Sequence, residues 1–175
     1  LSIANGTSNA DDREKCLWVV ARFQARGRAI IEAMETAQKI ESMSGRAIAI
    51  VGVVHELAKS GQFDLAISTA QQLHDEERRA SLLADIGEMQ AHSGHGSQSV
   101  QTAAMIQSEK NWGLMQIGGA LSKAGDRKNF KFLLPMFSYH VDVAFRVWGY
   151  LARLYPEHAK SLADTMPEEV SQSSS

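Results

Sequence analysis

Apolar, helix-patterned runs in this chain end at glycine with nearly constant spacing. They close as QARG at Gly27, AKSG at Gly61, AHSG at Gly94 and SKAG at Gly125, and ARLY at Tyr155 stands in the same place; the intervals are 34, 33, 31 and 30 residues. A period of this length constrains the fold more than any local motif, because a recurring segment of roughly 20–50 residues is one supersecondary unit stacked on its neighbours. Other positions keep step. Arg46, Arg79 and Lys110 lie fifteen residues before their glycines, with His140 before Tyr155. Val19, Val53, Ile86, Ile117 and Val147 lie eight before, and Phe23, Leu57, Gln90, Leu121 and Leu151 four before. Spacings of three and four place these on one helical face.

The segments after the glycines carry a second apolar stripe: Ala33, Ala37 and Ile40; Ala66, Ala70 and Leu73; Ala103 and Ile106; Phe130, Leu134 and Phe137. Small residues let a neighbouring helix approach and the larger residue fills the space beyond. Each unit therefore reads as a helical hairpin, with the glycine supplying the left-handed cap that ends its first helix. Asp11 or Asp12, Ser44, Asp75 and Ser108 are the expected N-caps. The predicted helices span about 11–26, 28–42, 45–60, 62–74, 77–93, 97–107, 109–124, 126–138, 140–154 and 157–165, and Pro156 suits the start of the last. One domain over 11–166 is expected, with polar, flexible ends at 1–10 and 167–175.

The pattern resembles the tetratricopeptide-like repeat. Gly87 and Gly118 sit seven residues before the turn glycines, Gly61-Gln62-Phe63 has the form of the family's Gly-x-aromatic turn, and Ala66 begins the spaced small residues. The resemblance covers about residues 12 to 166; Val54 and Trp148 replace the mid-helix glycine, and most units lack the family's opening aromatic and closing proline. It implies an all-α fold, a right-handed superhelix of antiparallel hairpins with nine to ten helices. It also implies that the helix ending at each glycine lines the inner face.

Composition agrees with that class. Three prolines in 175 residues favour long helices, and apolar (44%) and charged (22%) fractions are those of a soluble globular chain. No apolar run reaches the roughly 20 residues needed to cross a bilayer; the longest is AIAIVGVV. Cys16, the single cysteine, has no internal disulfide partner and reads as a buried thiol, so a cytoplasmic location is the expectation. The absence of an initial Met and the ending EEVSQSSS suggest a piece of a longer chain. The net charge of −2 is uneven: residues 109–160 carry eight basic and four acidic side chains, the remainder ten and sixteen, which gives +4 against −6.

Motifs for chemistry fail on inspection. His55-Glu56 begins like the zinc-protease HExxH, but Lys59 stands where the second His is required. His92 and His95 are separated by the helix-breaking Gly94 and lack a third ligand. Gly118-Gly119 lies inside an apolar helix, where close packing explains it better than phosphate binding. The run from Asp75 to Arg79 reads as a helix start, its acids at the positive end of the dipole. No catalytic residue, metal or cofactor is assigned, and a non-enzymatic role is expected.

Two features speak to binding. Eight of the twelve aromatics fall between Phe130 and Tyr155, mostly as core; an exposed subset beside Arg127, Lys128, Lys131, Arg146 and Arg153 would make a contact patch for protein or nucleic acid. The inner-face positions outside the apolar stripe are His55, Asp85, Glu88, His92, Trp112, Met115, Gln116, Lys123, Arg146 and Arg153. Two readings of them stand, a groove for a peptide and a solvated face. The expectation is a scaffold or adaptor that binds a protein or peptide, acidic in character, along this groove, with self-association through an end unit as a further option. RNA or single-stranded nucleic acid is the alternative partner, disfavoured by the net charge.

Overall fold

The computed structural model describes residues 10–107, 110–137 and 141–165. Among them are ten α-helices and no strand: α1 Ala10–Arg26, α2 Ile30–Gln38, α3 Met43–Lys59, α4 Phe63–Ala70, α5 Glu76–His92, α6 Gly96–Ala104, α7 Lys110–Lys123, α8 Arg127–Leu133, α9 Val141–Leu154 and α10 Pro156–Thr165. Longer and shorter helices alternate. A 3-10 turn over Leu134–Met136 follows α8, because Pro135 has no N–H to continue an α-helix to 138 as the apolar pattern predicts. No helix among the described residues is long and apolar enough to cross a membrane. The expected frayed ends fall outside the described residues, except that Ala10 already belongs to α1.

Each long helix packs on the next long one, α1 on α3, α3 on α5, α5 on α7 and α7 on α9, and also on the short helix that follows it. The small-residue stripe makes this possible. Ala33, Ala37, Ala66, Ala70 and Ala103 are fully enclosed, with Ile40, Leu73 and Ile106 closing the row beyond them. The buried set divides into two clusters that meet at α5, whose Leu82 and Ile86 join the first while Leu83, Ala84 and Ala91 join the second. Complete burial of a side chain such as Leu57 or Phe130 contributes about 2–3 kcal/mol. Cys16 is only half-buried, packed against the first cluster instead of enclosed by it.

Three threonines, Thr36, Thr69 and Thr102, are also buried at an interval of 33 residues, one on each of the first three short helices. Burial of a hydroxyl requires an acceptor. Thr69 donates to the Leu65 carbonyl at 2.7 Å and Thr102 to Gln90 Oε1 at 2.8 Å, while Ser99 on α6 donates to the Gly87 carbonyl at 2.7 Å. The recurrent arginines have a defined task as well. Arg46 donates to the Ile40 carbonyl at 3.0 Å and Arg79 to the Leu73 carbonyl at 2.9 Å, so each satisfies an orphan acceptor just past the preceding short helix.

The turns revise the register of the first helix pair. Gly61, Gly94 and Gly125 have positive φ (78°, 81° and 70°), but the left-handed residue after α1 is Arg28 (φ 65°) and not Gly27. The hydrogen bonds agree: Gly61, Gly94 and Gly125 donate to Ala58, Ala91 and Ser122, and Arg28 donates to Ala25 at 3.0 Å. The next residues, Gln62, His95, Asp126 and Ala29, reach the carbonyls of Leu57, Gln90, Leu121 and Gln24, completing a Schellman turn in each case. Counted from Arg28 the intervals are 33, 33 and 31. The shift also explains why Val19 and Phe23 are exposed (41% and 63%) although Val53, Leu57, Ile86, Ile117 and Leu121 are enclosed.

N-capping differs at two expected positions. Ser42, not Ser44, caps α3, its hydroxyl accepting from Gly45 N–H. Asp75 caps α5 and Asp126 caps α8, accepting from Arg78 N–H and Asn129 N–H respectively. Asp11 and Asp12 lie in the first turn of α1, and Ser108 is outside the described residues.

Candidate interaction face

The long helices run side by side in one register, and polar side chains from three of them meet on the face opposite the apolar stripe. His55 Nε2 on α3 lies 3.0 Å from Asp85 Oδ2 on α5. Gln116 on α7 donates its amide to Asp85 Oδ1 at 2.9 Å and to Glu88 Oε2 at 2.6 Å. His92 Nε2 stands 3.5 Å from Glu88 Oε1, one turn along α5. Five of the ten residues expected on the inner face thus form one chain of contacts. The two carboxylates can only accept, so both amide hydrogens of Gln116 turn toward them and its Oε1 is left enclosed without a hydrogen-bond partner.

Electrostatics follow from this geometry. Burial raises the Asp85 pKa, but the hydrogen bonds from His55 and Gln116, together with the His55 charge, outweigh it and hold the carboxyl below its ordinary range. A separate ion pair joins α1 to α3, where Arg22 Nε lies 3.2 Å from Glu56 Oε1, a carboxylate that Lys59 also approaches at 3.7 Å. The inner-face expectation omitted Arg22 and Glu56, which make this contact between α1 and α3.

The remaining expected residues are not drawn into the network. Trp112 is 48% exposed, Met115 is half-buried with its carbonyl accepting from Tyr150 Oη at 3.0 Å, and Lys123, Arg146 and Arg153 are exposed. Gly118 and Gly119 serve as the seat for Tyr150: a Cβ on either would lie 3.3–3.6 Å from atoms of that ring or of Phe130 and Phe137. Phe130 and Phe137 are buried, Tyr150 and Tyr155 half-buried, and Phe132, Phe145 and Trp148 exposed, while Tyr139 lies outside the described residues. Arg127, expected at an exposed patch, stacks on Tyr155 and pairs with Glu157 at 3.6 Å.

His55, His92 and His95 engage different partners. His55 and His92 meet carboxylates, and His95 packs edge-on against Phe63 with ring centroids 5.5 Å apart. Among the described residues no three His, Cys, Asp or Glu side chains are grouped to share a metal ion. A cavity of about 460 Å³ lies away from this face, between the ends of α2 and α4 and the start of α3, where Met34, Met43, Ala47, Ile50 and Leu73 give it a mostly apolar lining.

Comparison with known proteins finds no matching family model, no similar curated protein and no similar solved structure.

Proposed function

We propose that the chain is a non-enzymatic protein-interaction module: a tetratricopeptide-like, right-handed superhelix of antiparallel helical hairpins that binds a peptide or partner protein along the groove of its long helices. The stacking of each long helix on the next and the recurrence of one turn geometry support the architectural part. The functional part rests on one observation, the hydrogen-bonded chain from His55 through Asp85, Gln116 and Glu88 to His92.

A merely solvated face has no need to tie side chains of three helices to one another. Here they are ordered before any partner arrives, and each side chain already fixed avoids an ordering cost of roughly 0.5–1.5 kcal/mol on binding. Trp112 on α7 and Arg146 on α9 are exposed, and side chains of these two types are enriched in binding hot spots.

The test is affinity capture with the immobilised domain against a variant carrying Trp112→Ala and Arg146→Glu. Both positions are exposed, so the melting temperature should hold while specifically captured proteins are lost. Equal capture by the two forms, or no specific capture by either, refutes the groove. Nucleic-acid binding is the second reading, favoured by exposed Phe145 and Trp148 on either side of Arg146. Salt-sensitive retention of single-stranded RNA on a filter would promote it.

A further inference from the structure

The seams between long helices share one register. Between α5 and α7, a Cβ on Gly113 would lie 3.3 Å from that of Ala84, one on Gly87 would lie 2.5 Å from Ile117 Cδ1, and Gln116 bonds Glu88. Counted back from Gly94 and Gly125, the residues of α5 that face forward are ten, seven and six before the turn, and those of α7 that face back are twelve, nine and eight before it. The seam between α7 and α9 adds the next pair. Ser122, three before Gly125, donates to the carbonyl of Tyr150, five before Tyr155, at 3.2 Å, and the Tyr150 ring sits on Gly118 and Gly119. The first and last of the described long helices each leave one such row open. On α9 the forward row is Phe145, Trp148, Gly149 and Ala152; all four are exposed, the two rings by 75% and 60%, and a Cβ on Gly149 would meet nothing within 4 Å. On α1, counted from Arg28, the backward row is Cys16, Val19, Val20 and Phe23, with Val19 and Phe23 exposed. Neither row contains a charged side chain. A stack of helical hairpins that ends in water needs a polar outer face, and these two faces are apolar.

We propose that each row is covered by a second copy of this chain, α1 of one copy packing on α9 of the next in the register that α7 takes on α5. In that register bulk meets space. Phe145 comes opposite Cys16, Trp148 opposite Val20, Gly149 opposite Val19 and Ala152 opposite Phe23, so the larger residue of each pair faces a smaller one. Phe23 holds on α1 the place that Tyr150 holds on α9. A hollow of about 370 Å³ beside Ala152, walled by Trp148, Leu151, Tyr155 and Ala159, gives its ring room, since an apolar cavity of roughly 150 Å³ already accepts benzene. The contact joins two different surfaces, so every added copy leaves one row of each kind free and the assembly lengthens with concentration or closes into a ring. It does not depend on the groove of the long helices, and either reading can fail without the other.

Sedimentation velocity of the full chain tests the proposal: the average mass should rise past the monomer as concentration rises. Phe23→Glu and Trp148→Glu each bring a charge into the seam and should weaken association at least about tenfold, while the melting temperature holds because both residues are exposed. Mixed together, the two variants still own one intact row of each kind and should form 1:1 dimers that grow no further. Cross-linking checks the register. Wild-type chain, whose one thiol is Cys16, mixed with a tagged Phe145→Cys, Cys16→Ser chain should on mild oxidation trap the mixed disulfide in preference to either homodimer. A chain that stays monomeric, undiminished association of either Glu variant alone, a mixture of the two that does not dimerise, or homodimers as the main disulfide product overturns the proposal.

Discussion

Arg28 should become more stable as glycine, even though the substitution removes a whole side chain. Its φ of 65° lies where glycine stands in the three equivalent turns, at 78°, 81° and 70°. An L-residue in that conformation costs roughly 1–2 kcal/mol. Against this, glycine gains about 0.4–1 kcal/mol of unfolded-chain entropy, and a cation is lost beside the C-terminus of α1, worth a few tenths. Arg28 is exposed and has no side-chain hydrogen bond or ion pair among the described residues, so nothing else is given up. The net expectation for Arg28→Gly is about 0.5 kcal/mol of stabilisation, or roughly 1–2 °C in Tm. Two companions enlarge the contrast. Gly27→Ala places a Cβ at an ordinary 3.5 Å from the carbonyls of Phe23 and Gln24 and should be neutral to stabilising. Gly61→Ala meets no atom within 4 Å, yet φ of 78° makes it the destabilising one, by about 1 kcal/mol. Urea unfolding followed by circular dichroism measures all three. A loss of stability in Arg28→Gly, or a larger loss in Gly27→Ala than in Gly61→Ala, would refute the turn register argued above.

Three further outcomes follow from the packing and the polar contacts. Arg79→Met removes the partner of the Leu73 carbonyl and should cost about 1–2 kcal/mol in urea unfolding, whereas Arg78→Met, which loses only an exposed pair with Asp75, should cost under about 0.5 kcal/mol. Gly87→Ala would put a Cβ 2.5 Å from Ile117 Cδ1 and should cost about 1–3 kcal/mol; Ile117→Val deletes that atom, so the double variant should lose less than the two single losses added together. Asp85 titrates below its ordinary value near 3.8, so its contribution is present above that pH and is lost as pH falls through the lower folded-state value. Asp85→Asn should therefore flatten the decline of stability as pH falls below about 3.8, and an unchanged slope would count against the His55–Asp85–Gln116 arrangement.

What the sequence disclosed and what it hid follow from the kind of signal each residue carries. The short-helix stripe was legible because Ala, Ile and Leu declare burial by their chemistry, and Ala33, Ala37, Ile40, Ala66, Ala70, Leu73, Ala103 and Ile106 are all buried. Thr36, Thr69 and Thr102 keep the same period and are buried as deeply, but a hydroxyl announces an interior place only when its acceptor is known, and the Gln90 amide that receives Thr102 comes from a different helix. Arg46 and Arg79 were visible as a recurrence without a reason; the reason is a carbonyl six residues upstream, which no side-chain pattern displays.

The polar face shows how one turn residue propagates into an account of a site. His55, Asp85, Glu88, His92 and Gln116 lie on α3, α5 and α7, helices that each end at a glycine in the left-handed turn, and they meet in one chain of contacts. For α1 a count from Gly27 begins one residue before the left-handed position, and every inference on that helix shifts by about 100° around its axis. Val19 and Phe23 then read as core although they face outward. Counted from Arg28, Arg22 occupies the place that His55 and Glu88 hold in the next two helices, six residues before the turn. Its contact with Glu56 joins α1 to α3. An arginine in a left-handed turn is rare enough that glycine is the natural choice when the two stand side by side, and here tertiary packing of Leu17, Ala21 and Ala25, spaced four residues apart and each buried, decides for the arginine.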